Sequence, residues 1–155
     1  MSVPETGASL PARGILLTRK WIAMDFIADN MCFACGPTNP FGLKLTFRQE
    51  GEAYAATFIA PAEYQGYQGV LHGGIVATLL DEIMARYVWV RIEAPAATAR
   101  LEVRYRRPAP VGEAIEVRGW ITGERGRAFL TAAEARLADG TLLAEATGMI
   151  MRIAQ

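Results

Sequence analysis

At 155 residues, with 52% hydrophobic and 21% charged positions, the chain is long enough for one packed domain and too apolar to be disordered. Sixteen basic residues offset sixteen acidic ones, which excludes a global field that would recruit nucleic acid or an anionic membrane. No run reaches the roughly 18 apolar residues of a membrane span. The first twenty residues lack a signal-peptide core and two cysteines make no disulfide framework, so a soluble cytoplasmic protein is expected.

Residues 1–14 are rich in Pro, Gly, Ser and Ala and read as a flexible tail; residues 15–155 read as one domain. Trp21, Ile22, Phe26 and Ile27 suggest a short helix within 15–31, and the turn formers of 32–42 suggest an ordered loop. Leu43, Leu45 and Phe47 alternate with Lys44, Thr46 and Arg48, predicting a strand, and Tyr54–Ile59 predicts a second after Gly51-Glu52. A further loop spans 61–71. From about 73 to 92 the chain is helical and apolar on nearly every side, the mark of a helix enclosed by other structure. Four strands follow, Ala99–Arg107, Glu113–Gly123, Arg127–Ala138 and Thr141–Ile153, with Asp139-Gly140 as a hairpin turn. The order predicts an α+β domain of about six antiparallel strands curved around one central helix.

The helix begins His72-Gly73-Gly74 and carries Asp81 about two turns inside. A helix start offers unpaired N–H groups and partial positive charge to an electron-rich oxygen. A carboxylate in a nearly all-apolar helix is costly unless it is hydrogen-bonded or functional. Asp81 has no cationic neighbour at three or four residues, whereas Glu82 has Arg86 at i+4 and so an ordinary surface explanation. Oxyanion donors plus a base are the parts that hydrolyse an acyl compound. Gly74 and Asp81 are seven residues apart, roughly 10 Å along one helix, too far to serve one carbonyl carbon. Two antiparallel helices bring one chain's Asp81 to the other's Gly74, so the active sites are expected to be shared across a two-fold homodimer.

Three segments together resemble the hotdog-fold acyl-CoA thioesterases, in particular the phenylacetyl-CoA thioesterase-like branch. They are His72-Gly73-Gly74 with Asp81, Cys32-Phe-Ala-Cys-Gly36 with Asn39-Pro40 and Gly42-Leu43, and Thr98 to Pro108 with Gly112-Glu113. The resemblance implies hydrolysis of acyl-CoA to free acid and CoA, with a non-catalytic acyl-CoA-binding protein of the same fold as the alternative. It implies that Asp81 is the catalytic carboxylate, activating water or attacking the carbonyl itself. It further implies that the N–H of Gly74, helped by Gly73, polarises the thioester, and that Thr98 orients the attacking water. A homodimer, paired further into a tetramer, goes with the family.

Relatives commonly carry an Asn six residues before the histidine; here that residue is Gly66, leaving Gln65, Gln68 or a tyrosine as substitutes. His72, the one histidine, is open to a role as a general base or in supporting the helix start, the latter favoured, and is also a substrate-binding candidate. Arg100, Arg104, Arg106 and Arg107 are candidates for the CoA phosphates, Arg106 being the one carried forward. Cys32-Phe-Ala-Cys35 has the spacing of half a zinc site or of a redox pair. A single histidine and no second cysteine pair leave a tetrahedral set short of ligands, so loop packing is expected, with no metal and no cofactor.

Overall fold

The computed structural model describes residues 31–153, so the tail expected at 1–14 and nearly all of the helix expected at 15–31 lie outside the described residues. Six strands form one antiparallel sheet in the order β1-β2-β4-β5-β6-β3. In chain order these are β1 (Arg48–Glu50), β2 (Ala53–Ile59), β3 (Ala96–Tyr105), β4 (Ala114–Arg125), β5 (Ala128–Leu137) and β6 (Leu142–Arg152). One long helix, α1 (Gly73–Ile92), lies between β2 and β3 in sequence and packs against β2 through β6. This is the hotdog arrangement that the chain's pattern predicts.

Period-two burial explains the sheet. Ile115, Val117 and Gly119 of β4, Phe129, Thr131, Ala133 and Ala135 of β5, and Ala144, Ala146, Gly148 and Ile150 of β6 point to the helix. Val76, Leu79, Leu80, Ile83, Met84, Tyr87 and Val88 of α1 meet them and are buried. The helix sits close because the sheet is thinned beneath it. A Cβ on Gly119 would stand 2.9 Å from Ile83 Cγ2, and one on Gly148 would stand 3.2 Å from Met84 Cε. The β5–β6 hairpin turns at Ala138-Asp139, with Gly140 at φ +87 and the Asp139 carboxylate accepting from Thr141 N–H at 2.8 Å.

The first strand differs from expectation. Only Arg48–Glu50 pair with β2, while Leu43–Phe47 run unpaired. Lys44 takes φ 55, which breaks an extended run, and its ammonium donates to the carbonyls of Pro37 and Asn39 at 2.9 and 2.8 Å. Leu43 and Leu45 are nevertheless buried, so their alternation reports packing rather than strand pairing.

Candidate functional site

His72 is the N-cap of α1: its Nδ1 accepts the N–H of Gly74 at 2.9 Å, and its carbonyl takes the N–H of Ile75 and Val76. The ring therefore covers the donor that the sequence singled out, Gly74, and leaves the N–H of Gly73 without a partner among the described residues. Gly73 is fixed from its other side, because Tyr105 Oη donates to its carbonyl at 2.8 Å. Gly66 packs against the same histidine; a Cβ there would lie 3.4 Å from His72 Cα and Cδ2.

Asp81 and Thr98 meet. The Thr98 hydroxyl donates to Asp81 Oδ1 at 2.7 Å, across from α1 to the start of β3, where the β3–β6 register slips between Thr98 and Arg100. That bulge lies where the strand passes the middle of the helix. One carboxylate oxygen is thereby engaged, and Oδ2 has no protein partner among the described residues. Both side chains are half-buried in the single chain.

A cleft of about 470 Å³ opens beside the helix start, walled by His72, Gly73, Tyr67, Tyr105, Arg106 and Leu143 among others. Arg106 is in its wall, ion-paired with Glu145, and Arg107 and Pro108 continue the same edge. Gln65 and Gln68 are not. Gln65 turns its side-chain oxygen to Gly69 N–H at 3.1 Å within the loop, and Gln68 is exposed. Tyr105 is a site residue that the sequence did not single out: it is 54% exposed at the cleft and holds the helix start.

Glu82 also departs from expectation. It is half-buried on α1, and burial pushes its carboxyl above the usual range, an effect opposed by a hydrogen bond from Cys35 and by the charge of Arg86. Burial likewise pushes the Cys35 thiol up, reinforced by its hydrogen bond to Glu82, the Glu82 charge and Cys32. Arg86 does not form the surface pair that its spacing suggests. Its guanidinium lies over the Trp89 ring, 4.0 Å from the centroid, with Phe47 at 5.7 Å, and its buried Nε has no hydrogen-bond partner among the described residues.

The family model described as the thioesterase superfamily matches residues 68–144, the segment from the loop before α1 to β6. Over this segment the chain matches that superfamily, and it has the hotdog fold. It is 29% identical over 140 residues to the acyl-coenzyme A thioesterase THEM4 of Bos taurus, covering 88% of this chain and 57% of that protein. THEM4 of Xenopus laevis is 28% identical over 109 residues, covering 69% of this chain and 49% of that protein. The chain thus spans about half the length of these curated relatives. A crystal structure of a thioesterase superfamily protein superposes with a TM-score of 0.72 at 28% identity, over 79% of this chain and 60% of that one. The Escherichia coli PaaI protein of the phenylacetic acid degradation operon shares the fold, with a TM-score of 0.66 at 17% identity over 72% of this chain and 81% of that one. Among the described residues, no helix is long and apolar enough to cross a membrane.

Proposed function

We propose that this protein hydrolyses acyl-CoA thioesters, with Asp81 as the base, Thr98 as its orienting partner and the start of α1 as the oxyanion site. The observation that carries the reading is the 2.7 Å hydrogen bond from Thr98 to Asp81. It locks one oxygen of the carboxylate and aims the other at a water. In the reaction, Asp81 Oδ2 takes a proton as water attacks the carbonyl carbon, and charge builds on the carbonyl oxygen. The C–S bond then breaks, and the departing thiolate receives the proton from Asp81. Gly73 N–H is the donor ready to meet that oxygen; Gly74 N–H becomes a second donor if the His72 ring swings away.

Gly73 and Asp81 are eight residues apart, roughly 12 Å along the helix axis, so one chain's pair does not converge on one carbon. We place Asp81 of one protomer against Gly73 of its partner in a homodimer, with pairing into tetramers compatible with the same contact. The outer edge of β3 supports this: it is ten residues long, has no paired neighbour among the described residues, and presents Thr98 at one end and Tyr105 at the other. The cleft at the helix start fits the acyl-CoA body, with Arg106 and Arg107 at its rim as phosphate partners.

Free-thiol release from short-chain, long-chain and aromatic acyl-CoA substrates tests the reading. Turnover in the wild type that falls to background in Asp81→Ala, with the oligomer intact, is the expected result. The capped Gly74 N–H and the glycine at position 66 favour one rival, a non-catalytic acyl-CoA binder. Saturable binding with no thiol released by the wild type selects that rival.

A further inference from the structure

We propose that Cys32, Cys35 and Glu82 form a binding site for a thiophilic divalent cation of the zinc class, tying the loop at 32–42 to the middle of α1. The two sulfurs and a carboxylate oxygen of Glu82 all lie within 4.8 Å of one another. Around a tetrahedral zinc, with bonds of about 2.3 Å to sulfur and about 2.0–2.2 Å to oxygen, such ligands stand roughly 3.3–3.8 Å apart. The present separations, at most 4.8 Å, are thus close to that spacing.

The loop is built to hold the sulfurs. Cys35 N–H points to Cys32 Sγ at 3.5 Å, and Gly36 N–H closes on the Cys32 carbonyl at 2.9 Å. The tight turn turns both side chains to one side and gives a thiolate at Cys32 a backbone donor. Leu43 N–H to Phe33 O at 2.8 Å and Leu45 N–H to Ala34 O at 2.9 Å fasten the loop's two ends to each other. A Cβ on Gly42 would meet Phe33 O at 2.9 Å, so the crossing of these two segments depends on glycine.

Charge and donor chemistry fit the same ion. Two thiolates and a carboxylate carry three negative charges, a divalent ion leaves one, and the guanidinium of Arg86 stands in the wall of the same cleft to balance it. Its buried Nε has no hydrogen-bond partner among the described residues. Two sulfur ligands select zinc-like ions over calcium or magnesium. Among the described residues no further cysteine, histidine or carboxylate joins this group, so the proposal assigns the fourth coordination position to water. That position opens on a cleft of about 210 Å³ bounded by Arg86, Trp89, Pro95 and Ala96. The sequence alone counted the ligands short because Glu82 joins the cysteines only through the fold.

The test is metal analysis of the untagged full-length protein purified with zinc, followed by replacement with Co²⁺. One equivalent of zinc is expected, and the cobalt form should show thiolate-to-cobalt charge transfer with the ligand-field bands of a tetrahedral ion. Both signals should vanish in Cys32→Ser/Cys35→Ser. Glu82→Gln should weaken Co²⁺ binding at least about tenfold, the scale on which even outer partners of a metal act. Circular dichroism establishes that the variants fold; if the double variant does not, the wild-type cobalt spectrum decides. Absence of those bands in the reduced wild type overturns the proposal. So does a zinc-replete protein whose mass is two hydrogens short, showing a Cys32–Cys35 disulfide, or a Glu82→Gln affinity equal to wild type.

Discussion

At the scale of single residues, the proposed chemistry rests on two hydrogen bonds, Thr98 to Asp81 and Gly74 N–H to His72, and three substitutions read them. Asp81→Asn keeps the shape and removes the base; kcat should fall by about 10²–10⁴, the usual contribution of a positioned base, measured as CoA thiol release. Thr98→Val leaves Asp81 without its 2.7 Å donor. A hydrogen bond to a charged group contributes about 1.5–3 kcal/mol, so kcat should fall about ten- to a hundredfold while KM moves little. His72→Ala separates a cap from a base. As the cap of Gly74 N–H, its loss should cost about 0.5–2 kcal/mol of stability, seen as a lower Tm, with kcat held within about tenfold. A collapse of kcat on the scale of Asp81→Asn would instead make the imidazole a proton carrier. Of these residues, Asp81 and the glycines stand out in the sequence because each departs from its surroundings, whereas Thr98 is marked only by the family resemblance. The covering of Gly74 N–H by the ring two residues earlier does not stand out, because it depends on a side-chain rotamer.

At the scale of elements, what periodicity can encode was legible and what tertiary crossing creates was not. The limits of α1 follow from the glycine pair and the unbroken apolar run, and β4, β5 and β6 follow from alternation punctuated by Gly126 and Gly140, both at positive φ. Burial of Leu43 and Leu45 mimics a strand, and the left-handed Lys44 that interrupts it has no marker in a residue as ordinary as lysine. Glu82 with Arg86 at i+4 has the spacing of a surface pair, yet the loop at 32–42 crosses that face of the helix and buries it. Tyr105 obeys the alternation of β3 and still ends at the cleft, because β3 is an edge strand that runs past the end of the core. The close approach of α1 to the sheet gives a stability prediction of its own. Gly119→Ala forces a methyl to 2.9 Å from Ile83 Cγ2 and 3.3 Å from the Ile83 backbone. Overpacking of this kind typically costs about 1–3 kcal/mol, and a denaturant midpoint lowered at unchanged slope is the expected readout.

At the scale of the whole molecule, the question is which chain supplies which half of the site. The helix holds Gly73 and Asp81 apart by roughly 12 Å, and no side-chain rotation bridges that span. In the homodimer we propose, a two-fold axis beside β3 with the two α1 helices antiparallel would pair each acid with the other chain's amide. The consequence is complementation. Asp81→Ala alone should be inactive, and Gly73→Val, which fills the mouth of the cleft beside Tyr105, should be inactive as well. Co-expressed in equal amounts, half of the dimers are mixed, and each mixed dimer joins one intact acid to one intact helix start. Its second site carries both defects. Thiol release should therefore return to about a quarter of the wild-type level, in proportion to the mixed species isolated with two different tags. A mixed dimer as inactive as its parents would place acid and amide in the same chain's site and exclude sharing across the axis.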